Sequence, residues 1–495
     1  MHDVVVVGAG NAGFCAAHAA ADRGASVLLL ERAPESAAGG NSFYTAGAFR
    51  VVHDGARALA PLCDDPVTDE RLARTDLAAY TAEEFYADMQ RITGGACDPA
   101  MTDWLVADSA DLPRWLAEHG VRWRLMYERQ SYQVDDRWVF SGGLALGTVD
   151  GGRGLVDQHT TQARTEGVEI RYGSRVTGLL TDGPDVAGVE VVDGDGRGTQ
   201  VRARSVVLSA GGFEADPDLR ARHLGPQWRH ALVRGNPLNT GDLLGAAQEL
   251  GAATRGDFGT CHSVAWDAGA PPGGGERVLT NQLTRQSYPL GICVNRDGRR
   301  FLDEGADFRN YTYARYGRLI LEQPGGVAFQ MFDAVTRPLL RPEEYDSEPI
   351  TMAVADDLAE LARSLGIDVD GLRRTVEDFN ASIEDRPFDP AVKDGRAARV
   401  EPPKSNWAVA LQAPPFYGYA VSCGITFTFG GLAVDEHGRV LDTEDAPIPG
   451  LYAAGELVGG LFSGNYPGGT GLTAGSVLGR RAGAHAAGGR AREMR

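Results

Sequence analysis

HDVVVVGAGNAGFCAAHAAADRGASVLLLER, residues 2–32, decides the fold. Val4–Val7 is an unbroken β-branched run, as expected of a strand buried on both faces of a parallel sheet. Gly8-Ala-Gly10-Asn11-Ala12-Gly13 follows at once, FCAAHAAADRG reads as a helix, and ASVLLLE reads as a second strand ending in Glu31. Strand, G-x-G-x-x-G, helix, strand and terminal acid together form a dinucleotide-binding unit. Gly8 permits the tight turn, Gly10 lets a pyrophosphate approach the backbone, and Gly13 lets helix and strand pack closely. The helix N-terminus offers free N–H groups and a positive dipole end to the phosphates. Glu31 can accept the hydroxyls of the adenosine ribose and would repel a 2′-phosphate, which disfavours NADP. Asn11, Ala12 and Arg32 complete this nucleotide-facing set.

A second glycine loop, AAGGNSFYTAGAFR at 37–50, turns the reading from NAD to FAD. Such a loop just after the ribose acid is typical of FAD domains in two-domain flavoproteins. Asn41, Ser42 and Thr45 can hydrogen-bond phosphates or the flavin ring. Gly39, Gly40, Ala46 and Gly47 let backbone N–H groups come close.

The chain has 495 residues, which argues for two domains or more. With a net charge of −19 it lacks the basic footprint of nucleic-acid binding. The six cysteines, at 15, 63, 97, 261, 293 and 423, form neither C-x-x-C nor zinc spacing and read as reduced thiols of a cytoplasmic protein. The N-terminal apolar run has no basic leader and is broken by Asn11 and His18, so it is read as neither signal peptide nor membrane span.

Residues 51–130 read as a helical excursion from the nucleotide domain. RARSVVLSAGGFEAD at 202–216 is a strand that brings Ala210, Gly211 and Gly212 to the cofactor. Val176 and Asp242 join the cofactor-facing set, and Thr240 or Asp242 is read as the cap of the helix after LNTGD. From 256 to 404 the pattern changes to mixed strands and helices, and GLYAAGELVGG at 450–460 resumes a Rossmann-type strand. The expected fold is therefore α/β: a discontinuous Rossmann-like FAD-binding domain, 1–255 and 405–495, with an inserted α+β capping domain at 256–404.

GAGNAG, GGNS, SAGGFEAD, CHSVAWD, RRFLDEGADFRNYTYARYG, CGITFTFGGL, GLYAAGELVGGLF and NYPGGTGLTAGSVLGRRAG stand in this order over nearly the whole chain. The set resembles the flavoprotein subunit of the fumarate reductase/succinate dehydrogenase superfamily, and more closely the FAD-dependent tricarballylate dehydrogenases. The resemblance implies two-electron transfer between flavin N5 and a carbon adjacent to a carboxylate, with CH–CH and C=C as the two states. It implies a small carboxylate substrate, held between the domains. The second glycine loop lacks the histidine to which membrane-bound relatives attach FAD covalently, so non-covalent FAD is expected.

The catalytic set carried over is Arg309, His262, Tyr466 and Arg285. Arginine suits carboxylates because its fork binds them bidentately. Arg309 resembles the arginine that handles the proton in fumarate reductases, although arginine is hard to deprotonate. Arg285 resembles a proton-pathway arginine, and His262 a substrate-binding histidine. Gly455-Glu456 and the helix starting near Thr470-Gly471-Leu472 are placed beside the flavin, with the helix N-terminus stabilising negative charge on the reduced ring. Tyr466 stands where fumarate reductases have a carboxylate-binding arginine, and GITFTFGG lacks their histidine near Thr426. NYPGG instead resembles 3-ketosteroid dehydrogenases. Three readings are thus open: desaturation of a tricarballylate-like acid, the reverse fumarate reductase-type reaction, and desaturation of a ketone. No iron–sulfur or haem spacing appears, so a separate electron acceptor, whether a redox protein, a quinone or dioxygen, is implied.

Overall fold

A computed structural model describes residues 1–64, 68–347 and 351–493. The Val4–Val7 run lies in a strand at His2–Val7, at the centre of an eight-stranded sheet. Its neighbours Val27–Leu30 and Gly198–Leu208 both run parallel to it. Glu169–Arg171 extends the parallel set on one side, and Pro447–Ala453 extends it on the other. The strands Arg175–Asp182 and Asp185–Val192 continue the sheet antiparallel from the first half of Gly198–Leu208. Val207 pairs with Tyr452, so the domain closes only when the chain returns near its end, and the expected discontinuity is a property of the sheet.

Parallel register sets the carboxyl ends of four strands side by side. They are followed by Gly8, Glu31, Ser209-Ala210-Gly211 and Ala454-Gly455-Glu456. Open parallel sheets bind ligands at this edge, because each chain must leave its strand there and turn into a loop or helix. The helix Asn11–Ala21 starts from one of these turns. It packs so tightly on its strand that a β-carbon on Gly13 would stand 1.9 Å from the Gly8 carbonyl oxygen.

The closing helix, Thr470–Glu493, crosses Asn11–Ala21 along a seam of small residues. A β-carbon on Gly479 or Gly483 would meet the carbonyl oxygens of Ala12 or Ala16 at 2.3 and 2.0 Å. The two ends of the sequence are therefore one packing unit. Helices at Ala82–Ile92, Pro99–Ser109 and Leu112–Glu118 lie within residues 51–130.

A second, six-stranded sheet forms the other layer, with Phe416–Thr428 as its spine. Leu232–Val233, Cys261–Asp267, Val327–Phe332 and Met352–Ala355 all pair with that one strand. The expected boundaries of 256–404 are too narrow for this sheet, since both Leu232–Val233 and the spine fall outside them. The spine leads straight from one layer into the other, and no composition shift marks its start. Thr240 and Asp242 do not cap the following helix; Gly241 occupies that position without a side-chain bond. Cys15, Cys97, Cys261, Cys293 and Cys423 are free thiols, and no helix among the described residues is long and apolar enough to cross a membrane.

Replacing Gly483 by valine is expected to destabilise the fold by about 1–3 kcal/mol, the usual cost of overpacking. Denaturant unfolding of the holoprotein measures it, and an unchanged midpoint would contradict the seam.

Candidate active site

One cavity follows the carboxyl edge of the first sheet and continues under the second. It joins two clusters. In the first, Arg32 donates to Thr240 Oγ1 at 2.9 Å and pairs with Asp242 at 3.6 Å, which also binds Arg175 at 2.7 Å. Glu31 and Val176 line the same region. Glu31 is buried, and its two carboxylate oxygens accept the N–H groups of Ala9 and Ala33, each at 2.8 Å. It thus ties the glycine turn to the end of the second strand; burial raises its pKa, partly opposed by these bonds.

Between the clusters lie Gly8, Gly10, Asn11 and Ala12, then Gly40, Asn41, Ser42, Thr45 and Ala46, with Ala210, Gly211, Gly455, Glu456, Gly471 and Leu472. Ser42 Oγ accepts the Asn11 N–H at 2.9 Å, joining the second loop to the start of the first helix. Asn11 turns its side chain inward, to Leu472 O and Ser476 Oγ of the closing helix. Five residues expected at the cofactor stand behind this lining. Gly13 packs on Gly8, Gly39 on Val156, Gly47 on Thr148, and Gly212 on Thr428 and Glu456, while Thr470 is buried. They shape the wall without forming it.

The second cluster is built from Arg309, His262, Tyr466, Arg234, Tyr313, Asn281, Gln286 and Thr426. Arg309 opens the helix Arg309–Leu321. It donates to Gln286 Oε1 and Gln130 Oε1, both at 2.8 Å, and to Arg129 O at 3.2 Å. These acceptors are neutral. Burial, then the positive charges of Arg341 and Arg129, push the Arg309 guanidinium down to about 9. Arg234 is buried and donates to Thr426 Oγ1 at 2.9 Å and to Asn281 Oδ1, with Nε left without a partner. Among the described residues neither arginine has a carboxylate within ion-pair distance, whereas Arg129 beside them pairs with Glu344 at 2.9 Å.

His262 stacks on Phe427 with ring centroids 5.0 Å apart, and its two ring nitrogens have no partner among the described residues. Burial, then the nearby Arg234 cation, hold its pKa well below the usual value, so the ring is neutral. Tyr466 and Tyr313 share a hydroxyl–hydroxyl hydrogen bond of 2.6 Å. Burial, then Tyr313, raise the Tyr466 phenol well above its usual range, which keeps it protonated at neutral pH.

Local structure explains why these groups converge. His262 pairs with Phe427 but Ser263 with Ile425, so Thr426 is an extra residue in the spine strand, and such a bulge re-aims side chains. The Tyr466 loop is stitched to the Arg309 helix: Asn465 Nδ2 donates to Tyr311 O at 2.7 Å and Gly468 N–H to Asn310 O at 2.7 Å. Gly468 lies so close that a β-carbon would be 3.1 Å from Asn310 O, and Gly469 turns at φ +85° to enter the closing helix.

Arg285, expected on a proton pathway, lies behind the cavity. It is fully buried, paired with Asp267 at 2.7 Å, and stays out of the cavity. Its neighbour Gln286 is the residue that reaches Arg309. Arg234, Asn281, Gln286 and Tyr313 were not singled out in the sequence, although Tyr313 lies within RRFLDEGADFRNYTYARYG and Gln286 follows Arg285. Only the unpaired placement of Arg234 between two loops marks it, and that is a tertiary fact.

The cavity suits a dinucleotide: an acid-anchored end, two helix N-termini, a glycine-bordered middle and a polar reaction chamber. The chain matches the family described as FAD binding domain over residues 3–472, and it belongs to that family. It is 30% identical over 488 residues to the probable fumarate reductase Ifc3 of Shewanella frigidimarina, covering 98% of this chain and 74% of that protein. It is 28% identical over 552 residues to 4-oxocyclohexanecarboxylate 2-dehydrogenase of Sinomonas cyclohexanicum, covering 98% and 94%. The solved open conformation of a flavocytochrome c3 fumarate reductase matches with a TM-score of 0.73 at 28% identity, over 98% of this chain and 78% of that one. The protein is an FAD-dependent oxidoreductase of the fumarate reductase/succinate dehydrogenase flavoprotein superfamily, acting on CH–CH groups.

Ser42→Ala removes the acceptor of the Asn11 N–H and is expected to weaken FAD binding about 2- to 10-fold, the equivalent of one hydrogen bond. Fluorescence titration of the apoprotein with FAD tests it; unchanged affinity would count against this loop contact.

Proposed function

We propose that this enzyme interconverts CH–CH and C=C in a small substrate bearing at least one carboxylate, tricarballylate-like polycarboxylates being the first candidates. The observation that carries the reading is the pair Arg234 and Arg309. Two cations face one cavity without carboxylate partners, in a chain of net charge −19. A buried unpaired charge is costly unless a ligand completes it. A substrate carboxylate supplies the missing anion and gains charge-assisted, bidentate bonds.

FAD, when bound, accepts or donates the hydride. The chain's residues do the rest. Arg234 and Asn281 hold a carboxylate, and neutral His262 offers it a further hydrogen bond. Fixed donors aimed at the carboxylate stabilise charge that grows there as the adjacent carbon changes bonding. Arg309 moves the proton. A guanidinium lowered to about 9 is a far better proton donor than an ordinary arginine, and its deprotonated form is the acceptor when the double bond forms. The electrons pass to a separate acceptor, a redox protein, a quinone or dioxygen. FAD is held without a covalent bond.

A second reading has its own observation. Tyr466, kept protonated and hydrogen-bonded to Tyr313, is a donor suited to a ketone oxygen. The Sinomonas relative is named for a substrate that joins a ketone and a carboxylate. A keto acid spanning from Arg234 to Tyr466 would use both poles, and a 3-ketosteroid only the second.

Anaerobic flavin bleaching with di- and tricarboxylates, keto acids and a 3-ketosteroid separates these readings. Acids, or keto acids, are expected to bleach the flavin. Arg234→Met is expected to raise their half-saturating concentration about 10- to 100-fold, the loss of a charged hydrogen-bonding partner. Bleaching by the steroid alone, unaffected by Arg234→Met, would overturn the carboxylate reading.

The pH profile should follow Arg309. Forming the double bond needs the guanidinium to accept a proton, so that rate rises toward pH 9; the reverse reaction needs it protonated and falls above pH 9. Arg309→Gln is expected to lower both rates about 10²- to 10⁴-fold and to remove the inflection. Stopped-flow flavin spectra measure both, and an inflection that survives in Arg309→Gln would assign the proton elsewhere.

A further inference from the structure

Behind the middle of the cavity, two carboxyl groups converge on one amide. Glu214 is fully buried, in the loop that follows the strand Gly198–Leu208. Its Oε1 accepts from Asn239 Nδ2 at 2.6 Å and from Asn41 Nδ2 at 2.7 Å, and its Oε2 has no partner among the described residues. Glu456, in the loop after Pro447–Ala453, lines the cavity. Its Oε1 accepts the Thr428 N–H at 2.9 Å, and its Oε2 faces the same Asn41 amide at 3.4 Å.

Neither carboxyl has an ion-pair partner among the described residues. The other groups packed on them are neutral: Asn239, Thr426, Thr428 and the backbone of Gly212. The cation acting on Glu214 is Arg220, and its guanidinium donates to the Glu214 main-chain carbonyl at 2.8 Å, not to the carboxylate. The buried Cys261 thiol, also near Arg220, is pushed far above its usual range by burial and is uncharged.

We infer that Glu214 and Glu456 hold a single proton between them, and that this shared acid pair is the positioning device joining the second glycine loop to the substrate-side strand. One proton converts two repelling acceptors into a donor and an acceptor, and gives Glu214 Oε2 the partner it lacks. The network then runs on. Asn41 donates to Thr426 O at 2.8 Å, and Thr426 Oγ1 accepts from Arg234, so the pair sets the strand that carries the substrate-side cation. Burial, then the Glu456 charge, raise Glu214 well above the usual carboxylate range, and burial raises Glu456 as well. This does not depend on which acid or ketone is the substrate.

The sign of the pH effect follows. In the unfolded chain both glutamates ionise above about pH 4.3. The folded chain keeps one proton to higher pH, so folding takes up a proton and the folding equilibrium constant falls, by up to tenfold per pH unit, until the pair itself ionises.

Two measurements on the holoenzyme test this. In the infrared at pH 7, wild type minus Glu214→Gln is expected to show loss of one protonated-acid carbonyl stretch that shifts in D₂O. Glu456→Gln should lose the same band, since it removes the repulsion that, after burial, raises Glu214. From pH 5 to pH 8, both variants should lose less stability than wild type, by up to tenfold in the folding equilibrium constant per pH unit. Loss of a carboxylate band alone, with parallel stability profiles, would show two ionised groups and overturn the proposal. If Glu214→Gln does not fold, Glu456→Gln carries both measurements with the same two outcomes.

Discussion

Everything at the site rests on the parallel register of the first sheet. Because Val4–Val7, Val27–Leu30, Val206–Leu208 and Leu451–Ala453 run the same way, four chain exits crowd one edge. Crowding of this kind demands residues without side chains where exits touch. Gly13 against Gly8 is one such contact, and the small-residue seam between the first helix and the closing helix is another. The last strand and last helix are as much part of the nucleotide site as the first forty residues.

The second sheet contributes the chemistry. Its spine, Phe416–Thr428, pairs with four other strands and so can hold a bulge at Thr426 without losing its place. Thr426 then meets Arg234, the residue after Leu232–Val233, on one side, while His262 comes from the paired strand Cys261–Asp267 on the other. The chamber these residues form is unusual in its charge balance. Arg234 and Arg309 are solvated by amides, hydroxyls and carbonyls instead of carboxylates. Water is replaced by fixed dipoles, which stabilise the cations incompletely, and the deficit appears as the lowered Arg309 guanidinium and the neutral His262 ring.

The opposite imbalance lies only one loop away, where Glu214 and Glu456 meet without a cation. Asn41 stands between the two, bonded to the acid pair on one side and to the Thr426 carbonyl on the other. A single amide thus joins the acidic floor to the strand that carries the basic chamber. Changes in protonation on one side have a short, hydrogen-bonded route to the other.

The amino-acid sequence by itself determined the nucleotide half of this protein. Glycine spacing, β-branched runs and a terminal acid are local signals, because tight turns and buried strands restrict which residues can occupy them. Much of the cavity lining could be named from such motifs, and Arg309, His262 and Tyr466 from the resemblance to known flavoproteins. Tertiary structure alone decided the rest: that Arg285 is neutralised by Asp267 while Gln286 reaches Arg309, that Arg234 faces the chamber unpaired, that Tyr313 meets Tyr466, and that the second sheet extends beyond 256–404. These facts depend on which charges and hydroxyls meet across elements far apart in the chain. Coulombic pairing and burial act through space, so neighbours in sequence carry no record of them.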